Sequence, residues 1–295
     1  VKELVVISGK GGTGKTTIAA CFAALARGKV MVDADVDAAD LFILLEPVIL
    51  RREVFKSGWE AWIDPELCTQ CGECLELCRY DAISIDFEVD KVDCEGCGVC
   101  AHFCPQQAIG MRGRVAGEWF ISETRFGPFV HARLGVGEEN SGKLVALVRN
   151  QAKLMAEEKG LNWLIVDGPP GVGCPVISSI TGADGVLVVT EPTIAGLHDM
   201  KRVMDLADHF RVPKAVCINK WDINELVSQE IEGVCRKMKV PVIGRIPYHR
   251  VVTEALVNRK ILVDHDPNCE PSRAVQEVWK AICSLLVEGQ AEPSE

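Results

Sequence analysis

A short apolar run, Val5-Val6-Ile7-Ser8, stops at Gly9-Lys10-Gly11-Gly12-Thr13-Gly14-Lys15-Thr16-Thr17, and an Ala-rich segment from Ile18 to Arg27 follows at once. A buried strand, a glycine-rich turn and a helix in that order commit the chain to a parallel α/β core, because the strand end and the helix start must meet at one edge of a sheet. Glycines let the backbone of Gly9, Gly11, Gly12, Thr13 and Gly14 curl so that its N–H groups point at a phosphate, and the helix N-terminus adds positive potential. In such a loop Lys15 takes the β- and γ-phosphates, Thr16 offers its hydroxyl to Mg²⁺, and Thr17 continues the cradle. A glycine-rich turn without a ligand is the bland alternative, and the full G-x4-G-K-T in this context argues against it.

Lys10 makes the loop K-G-G-T-G-K-T, which resembles the deviant Walker A signature of the MinD/ParA/Mrp family of ATPases, relatives of the nitrogenase iron protein. The resemblance implies a lysine that reaches across a nucleotide-sandwich homodimer, so that hydrolysis depends on ATP-driven dimerisation. A cation supplied in trans by the related arginine fingers is worth about 10³–10⁵ in rate. Val30-Met-Val-Asp33-Ala-Asp35 matches the family's switch I, with Asp35 orienting the attacking water and Asp33 organising the metal shell. Asp40 stands where family members often carry Asn, which puts a phosphate-sensing role there in doubt. Trp163-Leu-Ile-Val-Asp167-Gly-Pro-Pro-Gly171 matches a Walker B strand, with Asp167 on Mg²⁺, followed by switch II. Asn219-Lys220-Trp221-Asp222 also reads as the N-K-x-D guanine motif of GTPases. In the MinD family the matching Asn219 contacts adenine, so ATP and ADP are the expected nucleotides ahead of GTP.

The second constraint is a duplicated cysteine phrase. Cys68-x2-Cys71-x2-Cys74-x3-Cys78 recurs 26 positions on as Cys94-x2-Cys97-x2-Cys100-x3-Cys104-Pro105. This spacing resembles that of bacterial two-cluster ferredoxins, in which three thiolates of one phrase and the fourth of the other hold each cube. The resemblance implies two [4Fe–4S] clusters, one on Cys68, Cys71, Cys74 and Cys104 and the other on Cys94, Cys97, Cys100 and Cys78. Zinc on paired CxxC units is the alternative. The repeat's continuation through Ala82-Ile83 and Ala108-Ile109 favours clusters, although Arg79 replaces the proline of the second copy. Ile63, Leu67, Tyr80, Ile83, Ile85, Val92 and Ile109 are the expected packing around the cubes.

With 295 residues and 48% apolar content, the chain has room for a large domain and a small one. Strand-like runs at Gly185–Thr190, Lys214–Asn219 and Val242–Pro247, each followed by a helical pattern, extend the alternation. The expected fold class is α/β, a doubly wound mostly parallel sheet with an inserted small α+β ferredoxin-like domain. Residues 1–58 and 113–295 form the ATPase domain and 59–112 the insert. Such an interruption is cheap, since doubling a loop adds only about 0.6 kcal/mol of closure entropy. Gly117 to Arg133 reads as a hairpin with a Gly-Pro turn, Ser141 or Asn140 as the cap of a helix from about Leu144 to Glu158, Ser272 to Val287 as a terminal helix, and Glu288–Glu295 as a frayed tail. His131 in a hairpin reads as structural rather than as a metal ligand.

A net charge of −10 argues against a general nucleic-acid binder. No apolar run of about 18 residues and no secretory pattern occurs, so no membrane span is expected. Fourteen cysteines then point to reduced thiols and to the cytoplasm. Of the six outside the repeat, Cys21, Cys217, Cys235 and Cys283 fall in helix or strand patterns as apolar fillers, and Cys269 lies in a polar loop. Cys174 follows Asp167 at an offset similar to that of a cluster-ligating cysteine in the nitrogenase iron protein. No second cysteine between Cys104 and Cys174 completes that bridge, so a small residue in a tight switch turn is the preferred reading.

Three functions follow. The first is an ATPase coupling nucleotide state to redox chemistry or metal-cluster handling with a client protein. The second is an ATPase that assembles or carries Fe–S or other metal clusters. The third is a MinD/ParA-like positioning switch, against which the terminal helix shows little excess of Lys or Arg.

Overall fold

The computed structural model describes residues 1–138 and 140–287. The Glu288–Glu295 tail lies outside the described residues. In chain order the elements are β1 (Lys2–Ser8), α1 (Lys15–Leu25), β2 (Lys29–Asp33), α2 (Leu41–Leu45), β3 (Val48–Ile63), α3 (Glu73–Leu77), α4 (Val99–Phe103), β4 (Ile109–Thr124) and β5 (Gly127–Leu134). They continue with α5 (Ser141–Glu158), β6 (Trp163–Pro170), α6 (Cys174–Ile180), β7 (Gly185–Thr190), α7 (Ile194–His209), β8 (Lys214–Asn219), α8 (Glu225–Lys237), β9 (Val242–Ile246), α9 (Arg250–Val257), α10 (Leu262–His265) and α11 (Glu270–Val287).

Nine strands form one sheet in the order β3-β4-β5-β2-β6-β1-β7-β8-β9. From β5 to β9 every neighbouring pair is parallel. The chain folds as an α/β nucleotide-binding architecture with a mostly parallel sheet, and its carboxyl strand ends form the edge where such sheets bind ligands. The apolar runs explain the arrangement: β2 and β7 are buried at every residue, as strands covered by helices on both faces must be. Phe22 of α1, fully buried, packs on Trp279 of α11 with ring centroids 5.1 Å apart, and Trp163 meets the same ring at 5.1 Å.

The chain divides into two compact units, one of residues 1–52, 119–133 and 141–295, the other of 53–118 and 134–140. β3 and β4, 16 residues each, contribute to both. The turn between β4 and β5 falls at Arg125-Phe126, with Thr124 Oγ1 accepting from Phe126 N at 3.1 Å and donating to Gly127 O at 2.8 Å. Gly127-Pro128 therefore opens the next strand rather than forming the expected turn. α5 begins at Ser141, three residues ahead of the expected Leu144.

The second unit has a small core of Ala61, Ala82, Cys94 and Ile109, onto which Ile63, Cys74, Cys78, Cys100 and Cys104 pack. Its duplicated phrase folds in duplicate. Gly72 opens α3 at φ +87° and Gly98 opens α4 at φ +76°. Gln70 and Gly96, and Asp81 and Gln107, repeat the left-handed backbone at matching places. Gly96 differs from Gln70 for a steric reason: a Cβ there would lie 2.1 Å from the Trp59 carbonyl oxygen. Of the expected packing residues, Ile83 and Ile109 are buried, whereas Leu67, Tyr80, Ile85 and Val92 are exposed. Ala61, Ala82 and Cys94 take the buried places instead.

Candidate functional site

The loop between β1 and α1 is shaped by Gly12 and Gly14, both left-handed, at φ +79° and +89°. A side chain at Gly14 would also push Asn219 aside, because its Nδ2 lies 2.3 Å from where the Cβ would stand. That amide donates to Thr13 O at 2.7 Å, and Lys220 Nζ donates to Gly12 O at 3.2 Å. The end of β8 thus braces the loop from the side.

Lys15 is the electrostatic centre. Its ammonium, 6% exposed as a residue, lies 3.1 Å from Asp167 Oδ1, 3.2 Å from Asp35 Oδ2 and 3.4 Å from Thr16 Oγ1. Burial alone would lower its pKa, but Asp167, Asp35 and Asp33 outweigh burial and raise it. Asp33 accepts from Asp35 N and from Leu41 N, each at 3.1 Å, so it fixes the backbone of the segment that carries Asp35. Burial, and then the neighbouring Asp167, push the Asp33 carboxyl well above its usual value. Asp167 is raised by burial too, although Lys15 and Thr16 pull against the rise. Its Oδ2 is buried without a hydrogen-bond partner, a lone oxygen donor beside the Thr16 hydroxyl. An oxygen set of that kind suits a hard divalent cation such as Mg²⁺.

A cleft of about 690 Å³ runs from this loop past Asp35 and Asn219 to Pro247, Tyr248 and His249. Asp222 holds the last of these segments, its carboxylate accepting from Tyr248 N at 2.7 Å. One oxygen of the acidic residue of N-K-x-D is therefore engaged by a backbone N–H.

Lys10 meets Glu191 at the end of β7, Nζ to Oε1 2.5 Å, and Thr193 Oγ1 at 3.4 Å. The other Glu191 oxygen takes Lys220 at 3.2 Å. Burial would raise the Glu191 pKa, yet the two lysines prevail and hold it below the ordinary carboxylate range. Glu191 carries no motif, which is why sequence reading passes over it. The only local sign is Thr193, whose hydroxyl caps α7 by accepting from Gly196 N at 2.9 Å.

In the second unit two cavities gather the thiols by fours. Cys68, Cys71, Cys74 and Cys104 line one, and Cys78, Cys94, Cys97 and Cys100 line the other. Burial and then Cys68 raise the Cys74 thiol pKa, and burial with Cys94, Cys97 and Cys78 raises that of Cys100. Among the described residues no three His, Cys, Asp or Glu side chains converge on a point suited to a single metal ion.

A family model described as the CobQ/CobB/MinD/ParA nucleotide binding domain matches residues 4–263. The chain belongs to this family. An uncharacterized protein of Methanocaldococcus jannaschii is 31% identical over 295 residues, spanning 97% of this chain and 98% of its own. The septum site-determining protein MinD of Helicobacter pylori is 27% identical over 138 residues, 43% of this chain and 51% of its own. In fold the chain is similar to MinD of Pyrococcus horikoshii, solved with Mg-ADP, at a TM-score of 0.60 and 17% identity, covering 99% of each chain.

The remaining residues singled out in this MinD/ParA family member sit as follows. Asp40 precedes α2 and makes no side-chain cap bond. His131 is buried between Phe120 and Phe129, centroids 4.8 and 4.6 Å away, with Nε2 3.1 Å from Ser122 Oγ. Cys174 is exposed at the start of α6. Cys21, Cys217 and Cys235 are buried, with thiol pKa values pushed up by burial to about 12, 12 and 11. Cys269 and Cys283 are half-buried. Among the described residues no helix is long and apolar enough to cross a membrane.

Proposed function

We propose that this chain is a cytoplasmic, ATP-hydrolysing nucleotide switch that closes as a homodimer and bears two [4Fe–4S] clusters on its second unit. The observation that carries the reading is the convergence of Lys15, Asp35 and Asp167 at a glycine-shaped loop. ATP's phosphates exchange for the two carboxylates as partners of Lys15, and Asp35, so released, is free to orient a water. Thr16, Asp33 and Asp167 are the residues for Mg²⁺, which supplies charge neutralisation between the phosphates. Gly9, Gly11, Gly12, Thr13, Gly14 and Thr17 supply the cradle, Asn219 the base contact and Lys10 the cation for the partner's nucleotide. Adenine rather than guanine is the expected base on the resemblance of the K-G-G-T-G-K-T loop to the MinD family.

The comparisons bear on the nucleotide half of this reading and favour the MinD/ParA-like positioning switch over redox coupling, since the matched proteins named for a function include septum site-determining proteins and a plasmid partition protein. The cluster half rests on the cysteines: eight thiols grouped four and four around two cavities, a donor set suited to cubes. Residues 59–112 are then the ferredoxin-like module, and coupling of nucleotide state to redox or to cluster delivery with a client protein is the second reading.

Oxygen-free protein assayed with ATP and GTP tests both halves. The expected result is hydrolysis that prefers ATP, together with about eight iron and eight sulfide per chain. Neither iron nor sulfide removes the cluster half, and indifference to both triphosphates removes the nucleotide half. Reduced protein passing electrons to a viologen dye at one rate with ATP, ADP or no nucleotide leaves the positioning switch standing alone. Extra iron lost to mild chelation marks a carrier.

A further inference from the structure

The pairing of Lys10 is a restraint with a built-in release. One carboxylate, Glu191, serves two ammonium groups, one on each oxygen: Lys10 at 2.5 Å and Lys220 at 3.2 Å. The Glu191 side chain is 16% exposed, so an unpaired charge there would be costly. Departure of Lys10 leaves Glu191 still paired with Lys220, and the lysine itself, at 31% exposure, already borders solvent. The pair therefore opens without stranding a buried anion. Lys220 in turn donates to Gly12 O, and its neighbour Asn219 to Thr13 O, so the carboxylate that holds Lys10 is tied to the nucleotide loop through two further contacts.

We propose that Glu191 is a positioning residue that parks Lys10 within its own subunit, and that release of this ion pair is the step that lets Lys10 reach phosphates bound by a second copy of the chain. The inference rests on the homodimer reading above and adds to it a brake: dimer closure must compete with an internal partner for the same lysine.

Steady-state ATP hydrolysis against protein concentration reads the brake, because a lysine acting in trans makes the rate per subunit rise with concentration. Glu191→Gln keeps the side chain's shape and removes its charge. It is expected to lower the half-activating protein concentration about threefold to tenfold, the size of a partly exposed charge-assisted pair. Lys10→Ala is expected to abolish the concentration dependence with or without Glu191→Gln. A readout separate from activity is acylation of Lys10 by an amine-reactive reagent, followed by peptide mass spectrometry, which speeds up by a similar factor in Glu191→Gln. Should that variant not fold, Glu191→Asp, shorter by one methylene, carries the same two measurements with the same sign. The proposal is overturned if either the half-activating concentration or the labelling rate stays at its wild-type value or moves the other way. It is also overturned if the Glu191→Gln effect persists at equal size without Lys10. A Lys10→Ala protein hydrolysing ATP at the full concentration-dependent rate defeats the dimer reading itself, and the brake with it. Loss of rate in Lys10→Ala with no change in Glu191→Gln defeats the brake alone.

Discussion

The two compact units solve the same problem with different means. The first, 1–52 with 119–133 and 141–295, buries whole strands of Val, Ile and Leu between helices and carries equal numbers of acidic and basic residues, 27 each. The second has a core of two alanines, a cysteine and an isoleucine, and holds 15 Asp and Glu against 5 Lys and Arg, so the chain's entire net charge of −10 lies there. Apolar burial at about 25 cal/mol per Å² suffices for the first. The second buries far less: Cys94 is its one buried thiol, and Cys74, Cys78, Cys100 and Cys104 pack half-buried onto the core.

On the cluster reading, the largest effect expected from that contrast is on the second unit when its thiolates lose their metal. Chelation under oxygen is expected to remove on the order of 10 kcal/mol of stability, as in other small metal-dependent domains. Proteolysis should then cut within 53–118 while 141–287 stays protected. Equal protection of both regions breaks the comparison. Lys15→Ala in the first unit is expected to reduce ATP hydrolysis by about 10²–10³, with iron and sulfide content unchanged. An equal loss of iron would show that the two sites do not fold independently. Phe22→Ala, which opens a hole against Trp279, is expected to cost about 3–5 kcal/mol in denaturant melts of the first unit, leaving the visible absorption of the clusters in place.

A smaller effect sharpens the contrast through pH. Burial and then the Arg133 charge depress the His131 pKa from its ordinary 6.5 to about 4. Because the folded value lies below the unfolded one, the unfolded chain binds the proton first as pH falls. Stability is therefore fully present above pH 6.5 and declines between 6.5 and 4, by at most about 3 kcal/mol. Chemical melts across that range should show the loss in wild type and a shallower one in His131→Phe. The smallest effect is in thiol labelling of cluster-loaded protein. Exposed Cys174 should react with iodoacetamide well before Cys21 and Cys217, whose thiols are held neutral by burial, and equal rates would contradict their burial.

Legibility followed the same divide. The strands Gly185–Thr190 and Lys214–Asn219 stand in the structure where their apolar runs end, because a strand covered on both faces has no polar residue to blur its limits. β3 was hidden for the opposite reason: Val48–Leu50 and Val54 are exposed, so the strand shows no clean period-two alternation, and of β4 only the stretch from Gly117 was legible, as the first arm of a hairpin. At the site, residues bound to a glycine-rich motif announce themselves, as do Lys15 and Thr16. Lys220 was legible as part of N-K-x-D but not as a brace of the loop, and Glu191 carries no motif, because no local pattern encodes a partner some 180 positions or more away. The exposed Leu67, Tyr80, Ile85 and Val92 mark the complementary error of assigning apolar residues to an interior that holds little more than Ala61, Ala82, Cys94, Ile83 and Ile109.

Cys78 belongs by order to the first cysteine phrase and by place to the cavity of the second, and Cys104 crosses in the opposite direction. The halves are thus interlocked like two links of a chain: neither can be shed, shortened or replaced without opening a wall of its neighbour's chamber.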